Sequence, residues 1–197
     1  MKMPALFEAS PSHVPDSPNE WYTPARYIEA ARAVMGRIDL DPASCEQANR
    51  VVQAQRYYTS QQNGLLQPWY GRIFLNPPYG TTGINDHAGH THTGQSRIKL
   101  FTQKLLQSYQ DGTVSQAILL CRADPSAYWF SPLWHYPICF VGGNFYFDSP
   151  KGLGTAKHRF GTCFVYLGPG VHTFIDVFCQ FGRVVRAVDT PERNTPL

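Results

Sequence analysis

Residues 73–79 read Ile-Phe-Leu-Asn-Pro-Pro-Tyr, three apolar residues followed directly by a turn that contains two prolines and an aromatic ring. The apolar run predicts a short buried strand, and the prolines stiffen the turn because they fix φ and remove two backbone N–H donors. Asn76 adds a carbonyl acceptor and Tyr79 adds a flat apolar face. The turn could therefore hold a planar group that bears an NH2, which suits methyl transfer to an exocyclic or amide nitrogen. The alternative is a plain rigid turn, since Asn before Pro commonly starts one.

The composition is that of an ordinary globular protein. The chain has 197 residues, of which 43% are hydrophobic and 16% are charged, and this length can bury a full core. We expect a flexible, proline-containing arm over residues 1–19, a single domain over residues 20–189 and a polar tail over residues 190–197. The net charge of +3 is compatible with a polyanionic partner but too small to demonstrate one.

The cysteines and apolar runs indicate the compartment. Five cysteines are widely spaced and form no Cys-x-x-Cys pair, which fits free thiols in a reducing cytosol better than disulfides or zinc. The apolar runs are too short for a transmembrane helix, and the N-terminus lacks a charged-then-apolar signal pattern. We therefore expect a cytoplasmic protein. The cysteines are Cys45, Cys121, Cys139, Cys163 and Cys179.

Strands and helices that alternate, and then give way to hairpin-like strands, predict an α/β fold. We expect a mixed, mostly parallel sheet with helices on both faces and an antiparallel edge. The first helix has clear limits, because Thr23 can cap it, Pro24 suits its first turn and Gly36 can stop it. The expected helices are Ala25–Met35, Glu46–Gln55, Ile98–Tyr109, Tyr128–Trp134 and Phe174–Phe181. The expected strands are Ile38–Leu40, Ile73–Leu75, Ala117–Cys121, Ile138–Val141, Phe145–Phe147, Cys163–Leu167 and Val184–Val188.

Two aspartates lie at the end of the first expected strand, where an open α/β sheet binds ligands. The carboxylates of Asp39 and Asp41 could accept hydrogen bonds from a ribose hydroxyl or an ammonium group. Pro42, Ala43 and Ser44 follow and let backbone N–H groups approach a ligand. The alternative is structural, with Asp41 starting a turn and Ser44 capping the next helix.

Two polar loops, Gly80–Ser96 and Ser149–Gly161, are the remaining candidates for ligand contact. The second loop is basic and could contact phosphates, or it could simply be solvated surface. Its basic residues, together with one arginine near a strand end, are Arg122, Lys151, Lys157 and Arg159.

The first loop contains a His-x-x-His-x-His pattern at His87, His90 and His92. This spacing can place imidazoles close together, but no cysteine or carboxylate stands at a convincing ligand spacing, and a flexible loop is a poor preformed site. We therefore favour a solvated or DNA-facing loop and expect no metal.

An ordered set of segments resembles the phage-type DNA adenine-N6 methyltransferases of bacteriophages and prophages, and the resemblance covers about residues 20–168. The set is much more specific than any one of its segments. Its clearest members are Trp21-Tyr22-Thr23-Pro24, Asp39-Leu40-Asp41-Pro42-Ala43-Ser44, Asn49, Tyr57-Tyr58-Thr59, Asn63-Gly64-Leu65, Trp69 and Leu75-Asn76-Pro77-Pro78-Tyr79-Gly80.

The resemblance implies a Rossmann-like methyltransferase fold that uses S-adenosylmethionine, yields S-adenosylhomocysteine and acts on double-stranded DNA without an obligate protein partner. It implies that Asn76 and the Pro77 carbonyl hold the target amino group while Tyr79 stacks on the flipped base. Pro78 completes this catalytic turn. The cofactor residues that it implies are Thr23, Pro24, Asp39, Asp41, Pro42, Ala43, Asn63, Gly64, Leu65 and Asn76.

Three departures bear on the function. The first loop lacks the Gly-x-Gly that is common in other S-adenosylmethionine enzymes, Asn63 stands where we expect Asp, which keeps an acceptor but removes a charge, and the Gly80–Ser96 loop is unusual in its histidine content. The same turn could hold an adenine of RNA or a glutamine amide of a protein. A nucleic-acid-binding module with a degenerate methyltransferase fold is a further alternative.

Overall fold

The computed structural model describes residues 22–80, 96–149, 155–158 and 160–188. Within them the chain forms a seven-stranded sheet, a separate hairpin and four α-helices. The sheet strands are β1 (Leu40–Asp41), β2 (Arg56–Tyr57), β3 (Gly71–Leu75), β4 (Val114–Arg122), β5 (Ile138–Val141), β8 (Thr162–Leu167) and β9 (Gly182–Val185), and the hairpin strands are β6 (Tyr146–Asp148) and β7 (Thr155–Lys157). The α-helices are α1 (Ala25–Met35), α2 (Glu46–Val52), α3 (Arg97–Gln110) and α4 (Val171–Phe178), and two 3-10 helices cover Gly64–Leu66 and Ser131–His135.

The sheet has a parallel half and an antiparallel half. Its order is β2-β1-β3-β4-β8-β5-β9, in which β2 to β4 pair in parallel and the pairs from β4 to β9 are antiparallel. The α/β class with a mixed sheet is confirmed, but the antiparallel part is half of the sheet and not only an edge. The register gives the reason: β8 begins at the edge where β4 and β5 end, with Cys163 opposite both Cys121 and Phe140, so it must run back between them.

Helices cover both faces of the sheet, as predicted. Side chains of β4 alternate between the faces because a strand has a period of two residues. Leu119 packs in one apolar cluster with residues of α3, and Ile118 and Leu120 pack in the other with residues of α1 and α4. The site described below lies at one edge of this two-sided core.

The first helix has the predicted limits but not the predicted cap. α1 ends at Gly36, whose φ of 82° favours glycine and whose N–H donates to Arg32 O. At its start Pro24 is the N-cap residue, and no side chain caps the helix. The Thr23 hydroxyl instead accepts a hydrogen bond from Asn76 Nδ2 at 3.5 Å, so Thr23 belongs to the edge of the sheet.

Several other predicted elements have different limits. α2 ends three residues early because Gln53 takes φ 52° and the Asn49 side chain bonds both backbone groups of Ala54. The helix predicted at Tyr128–Trp134 is the 3-10 helix Ser131–His135, the last strand stops at Val185, and the predicted loop Ser149–Gly161 contains β7.

All five cysteines are free thiols, and Cys121, Cys139 and Cys163 are buried. Over the described ranges, no helix combines the length and apolar character that a membrane crossing requires.

Candidate active site

Two loops that follow parallel strands meet at one edge of the sheet. β1 and β3 are parallel neighbours with Leu40 opposite Ile73. The Asp41-Pro42-Ala43 loop and the Asn76–Tyr79 turn therefore leave the sheet on the same side, where open α/β sheets bind ligands. The predicted neighbourhood of these two segments is thus present in the fold.

The first loop also touches the turn at residues 63–65. Gly64 lies so close to the Pro42 carbonyl that a Cβ on Gly64 would overlap the Pro42 oxygen. Glycine is needed here because only its backbone can approach another backbone so closely. Two of the predicted cofactor segments therefore pack directly on each other.

A buried carboxylate marks this loop. Asp41 is only 4% exposed, and its Oδ1 accepts from the Ala43 N–H at 3.2 Å. Burial raises the pKa of Asp41 to about 6, and the Ala43 hydrogen bond and the Ser44 hydroxyl oppose part of that rise. Ser44 Oγ lies near the carboxylate but makes no hydrogen bond of good geometry among the described residues. Asp41 is therefore a buried acceptor that is only partly satisfied by its own loop.

The turn at residues 63–65 is held by a lysine of α3. Asn63 has φ 49°, and its Oδ1 accepts from Leu65 N at 3.2 Å. Lys104 Nζ donates to Leu65 O and to Gln67 O, both at 2.6 Å. Burial lowers the pKa of Lys104. The ammonium thus joins this turn to α3.

Sequence reasoning missed Lys104. The available signal was its position three residues after Phe101, on the apolar face of the predicted helix, where an unpaired lysine is uncommon.

Asn76 brings the acceptor turn and the start of α1 together. Its Nδ2 lies 3.5 Å from Thr23 Oγ1, and Thr23 is buried. Pro77 is buried as well, whereas Pro78 is half-buried and Tyr79 is exposed. The turn therefore exposes the Tyr79 ring at the surface and buries Pro77.

Tyr79 is anchored at one end and open at the other. Its side chain is 37% exposed. Burial near Cys121 and Cys163 raises the pKa of the phenol above its ordinary value, and a hydrogen bond from the Arg122 backbone opposes part of that rise. The hydroxyl is thus the buried end, and the ring is the part that a ligand could reach.

Asp39 stands apart from the other predicted cofactor residues. Its Oδ1 accepts from Arg37 Nε at 2.6 Å, and its Oδ2 accepts from the Arg72 N–H at 2.9 Å. Arg72 lies at the start of β3, whereas Asn76 follows its end. The contacts of Asp39 therefore join the beginnings of β1 and β3.

The predicted DNA contacts are only partly described. Arg122 Nη2 lies 2.7 Å from Asp124 Oδ2, and the guanidinium covers the Phe160 ring at 5.2 Å. Among the described residues Arg122 Nε is buried without a hydrogen-bond partner. Lys157 is exposed on β7. Lys151 and Arg159 lie outside the described residues.

Metal binding has no support in the described ranges, where no group of three His, Cys, Asp or Glu side chains could hold an ion. His87, His90 and His92 lie outside those ranges, so the metal alternative for that loop stays untested.

Tyr22 connects the hairpin of β6 and β7 to the start of α2. Its backbone pairs with Asp148 of β6 in both directions, at 3.1 and 2.9 Å. Its hydroxyl donates to Gln47 Oε1 at 2.8 Å, at the start of α2. The segment before α1 therefore bridges the hairpin and the cofactor loop. The sequence offered Tyr22 only as part of the Trp-Tyr-Thr-Pro segment.

Comparison with known proteins agrees with the resemblance. The model of the family described as DNA N-6-adenine-methyltransferase (Dam) matches residues 11–147. The DNA N-6-adenine-methyltransferase of Escherichia phage T1 is 29% identical over 124 residues, which are 61% of this chain and 43% of the phage protein. The chain thus spans less than half the length of that relative. The family match alone covers more than two thirds of the chain, and we conclude that the chain belongs to the DNA N-6-adenine-methyltransferase (Dam) family.

Proposed function

We propose that this protein transfers a methyl group from S-adenosylmethionine to N6 of adenine in double-stranded DNA. One observation carries the proposal: the Asn76 turn, Thr23 and the Asp41 loop share the ligand edge of a mixed α/β sheet. Family membership supports the acceptor. We also propose that the fold is Rossmann-like and that the protein works in the cytoplasm of a bacterium or a phage-infected cell.

The residues at this edge fit the cofactor. Asp41 is a buried acceptor with a raised pKa, suited to bind a hydroxyl or an ammonium group. Gly64 and Pro42 pack in direct backbone contact and would form one wall of the site, and Thr23 and Pro24, just before α1, would border the same space. Asn63 and Leu65 would border the adenine. Asp39 is left out because its contacts belong to the opposite end of β1.

When bound, S-adenosylmethionine supplies an electrophilic methyl group on a sulfonium and leaves as S-adenosylhomocysteine. The chain must orient the amino group toward that methyl. Because Asn76 Nδ2 is the atom that contacts Thr23, we assign the side-chain carbonyl of Asn76 to the amino group, together with the Pro77 carbonyl. Both oxygens would accept hydrogen bonds from the N–H groups of the target amino group. These hydrogen bonds favour a pyramidal, more nucleophilic nitrogen.

Positioning and electrostatics account for most of the expected catalysis. Neutral Asn is a poor base, so the proton lost from the methylated nitrogen goes to water after the N–C bond has formed. Holding the reactants in line can lower the activation barrier by up to about 7–11 kcal/mol. No general base is required at Asn76.

A duplex hides N6, so the adenine must leave the stack at a cost of roughly a few kcal/mol. Stacking on an aromatic ring returns about 1–3 kcal/mol. Tyr79 offers its ring for this purpose at the exposed end of the turn. Arg122, Lys151, Lys157 and Arg159 would bind the DNA backbone.

The test is methylation by the purified protein with labelled donor on unmethylated DNA, RNA and a protein mixture in parallel, followed by single-molecule sequencing of the DNA. We expect label in DNA only, at adenine N6 in a defined sequence. Label in RNA or in glutamine amides instead would show that the acceptor is not DNA. Absence of both methyl transfer and cofactor binding would favour a non-catalytic nucleic-acid-binding module.

A further inference from the structure

The hairpin carries a histidine to the Tyr79 ring. His158 directly follows β7, and its imidazole centroid is 5.8 Å from the Tyr79 centroid with the planes inclined by 36°. Phe147 and Phe160 meet the imidazole edge-on at 5.4 and 5.9 Å. His158 thus lies among three aromatic rings, one of which belongs to the acceptor turn. It also lies beyond residue 147, where the family match ends.

His158 is held through its backbone and its side chain. Its backbone N–H donates to Phe145 O at 2.7 Å, and its imidazole Nδ1 lies 2.7 Å from Thr162 Oγ1. Thr162 is 3% exposed and pairs with Arg122 across β8 and β4. Turning the imidazole away would strand a buried hydroxyl, which is unfavourable. The Tyr79 ring, by contrast, is exposed on a turn, so the imidazole is the more rigidly held of the two rings.

We propose that His158 is a positioning residue, which holds the Tyr79 ring at the angle at which it stacks on the flipped adenine. This inference rests on the proposed function. The phenol end of Tyr79 is anchored beside Arg122, and the imidazole supports the ring. Two supports fix the plane of the ring and leave its other face for the base.

The protonation state agrees with this role. Burial and the nearby Arg122 both lower the pKa of His158, so the imidazole stays neutral at neutral pH. A neutral ring packs on Tyr79 without placing a second positive charge beside Arg122.

The kinetic test compares His158→Leu with His158→Phe, which keeps a ring, and with His172→Leu. His172 is exposed on α4, beyond the opposite end of β8. We expect His158→Leu to reduce kcat/KM for DNA about tenfold, as the loss of one aromatic contact would, with an unchanged Kd for S-adenosylmethionine. His158→Phe should recover most of the loss, and His172→Leu should match the wild type. Wild-type kcat/KM in His158→Leu would overturn the proposal, as would a parallel loss of cofactor affinity.

A second readout needs no activity. In protein labelled with 3-fluorotyrosine, the 19F resonance of Tyr79 is identified by its absence in Tyr79→Phe. We expect this resonance to broaden or split in His158→Leu and to stay sharp in His172→Leu. An unchanged resonance would overturn the positioning role even if no substrate is methylated, whereas an inactive wild type with the expected broadening would refute only the proposed function.

Discussion

The Pro42 carbonyl and Gly64 pack in direct backbone contact, although 22 positions separate them in the chain. This contact joins the loop after β1 to the 3-10 helix Gly64–Leu66. It shows that two short segments, each unremarkable in the sequence alone, pack into one unit.

Replacing Gly64 by Ala should therefore open the cofactor site. The added Cβ meets the Pro42 backbone, which cannot move aside cheaply, so the turn must shift away from Asp41. We expect a loss of stability of roughly 1–3 kcal/mol, as for overpacking in a core, and at least about a tenfold weaker Kd for S-adenosylmethionine. Chemical unfolding and calorimetry measure the two effects.

The matched control is Gly142→Ala, because an added Cβ there meets no atom closer than 3.7 Å. It should leave cofactor affinity unchanged. Equal affinity in Gly64→Ala and the wild type would show that the contact does not shape the site.

Much of the fold could be predicted because apolar runs and chain breakers coincide. Gly36 ends α1 where the sequence indicates, and β5 has the predicted limits Ile138–Val141. β2 and β7 were missed because Arg56–Tyr57 and Thr155–Lys157 are short and largely polar. The antiparallel half was underestimated because strand order depends on contacts between distant segments, which local periodicity does not record.

The acceptor turn should depend on the Asn76 side chain. Asn76→Ala removes the carbonyl that we assign to the amino group, and we expect kcat to fall by about 10²–10³, as when one oriented polar group is lost from an active site. The Kd for S-adenosylmethionine should change by less than about threefold, since the hydrogen bond from Asn76 to Thr23 is long, at 3.5 Å.

Thr23→Val is the companion variant, because it removes the hydroxyl that accepts from Asn76 Nδ2 and keeps the shape. Its kcat should fall less than that of Asn76→Ala. Full turnover in Asn76→Ala, measured with labelled donor on unmethylated DNA, would refute the assignment.

The site was harder to predict than the fold, because some of its residues contact partners that are distant in the sequence. The Asn76–Tyr79 turn is local and visible in the sequence. Lys104 and His158 were not assigned, because the lysine holds carbonyls almost forty positions earlier and the histidine meets Tyr79 from a later hairpin. Nor did the sequence show that Asp39, just before β1, accepts hydrogen bonds from Arg37 and Arg72.

Arg122 should contribute one phosphate contact, which its ion pair with Asp124 weakens. Arg122→Met should weaken binding to all DNA sequences alike and reduce the slope of log K against log salt by about one. Asp124→Asn removes the carboxylate 2.7 Å from the guanidinium and should strengthen binding. Titrations at several salt concentrations measure both.

Arg186→Met is the control, because Arg186 is exposed just after β9, at the end of the sheet away from Arg122. Its salt slope should equal that of the wild type. An unchanged slope in Arg122→Met would assign this arginine to packing on Phe160 instead.

The raised pKa of Asp41 predicts how pH acts on the site. Its folded pKa of about 6 lies above the ordinary value of 3.8, so its contribution to stability is fully present below about pH 3.8 and is lost as pH rises through about 6. Asp41→Asn should therefore be more stable than the wild type above about pH 6, by on the order of 3 kcal/mol.

Cofactor binding should have the opposite pH dependence, because the ionised carboxylate is the better acceptor: the wild-type Kd for S-adenosylmethionine should rise as pH falls below about 6. In Asp41→Asn the affinity should be weak and independent of pH over this range. Calorimetry between about pH 5 and pH 8 measures both proteins, and a wild-type affinity that does not change across this interval would remove Asp41 from the cofactor site.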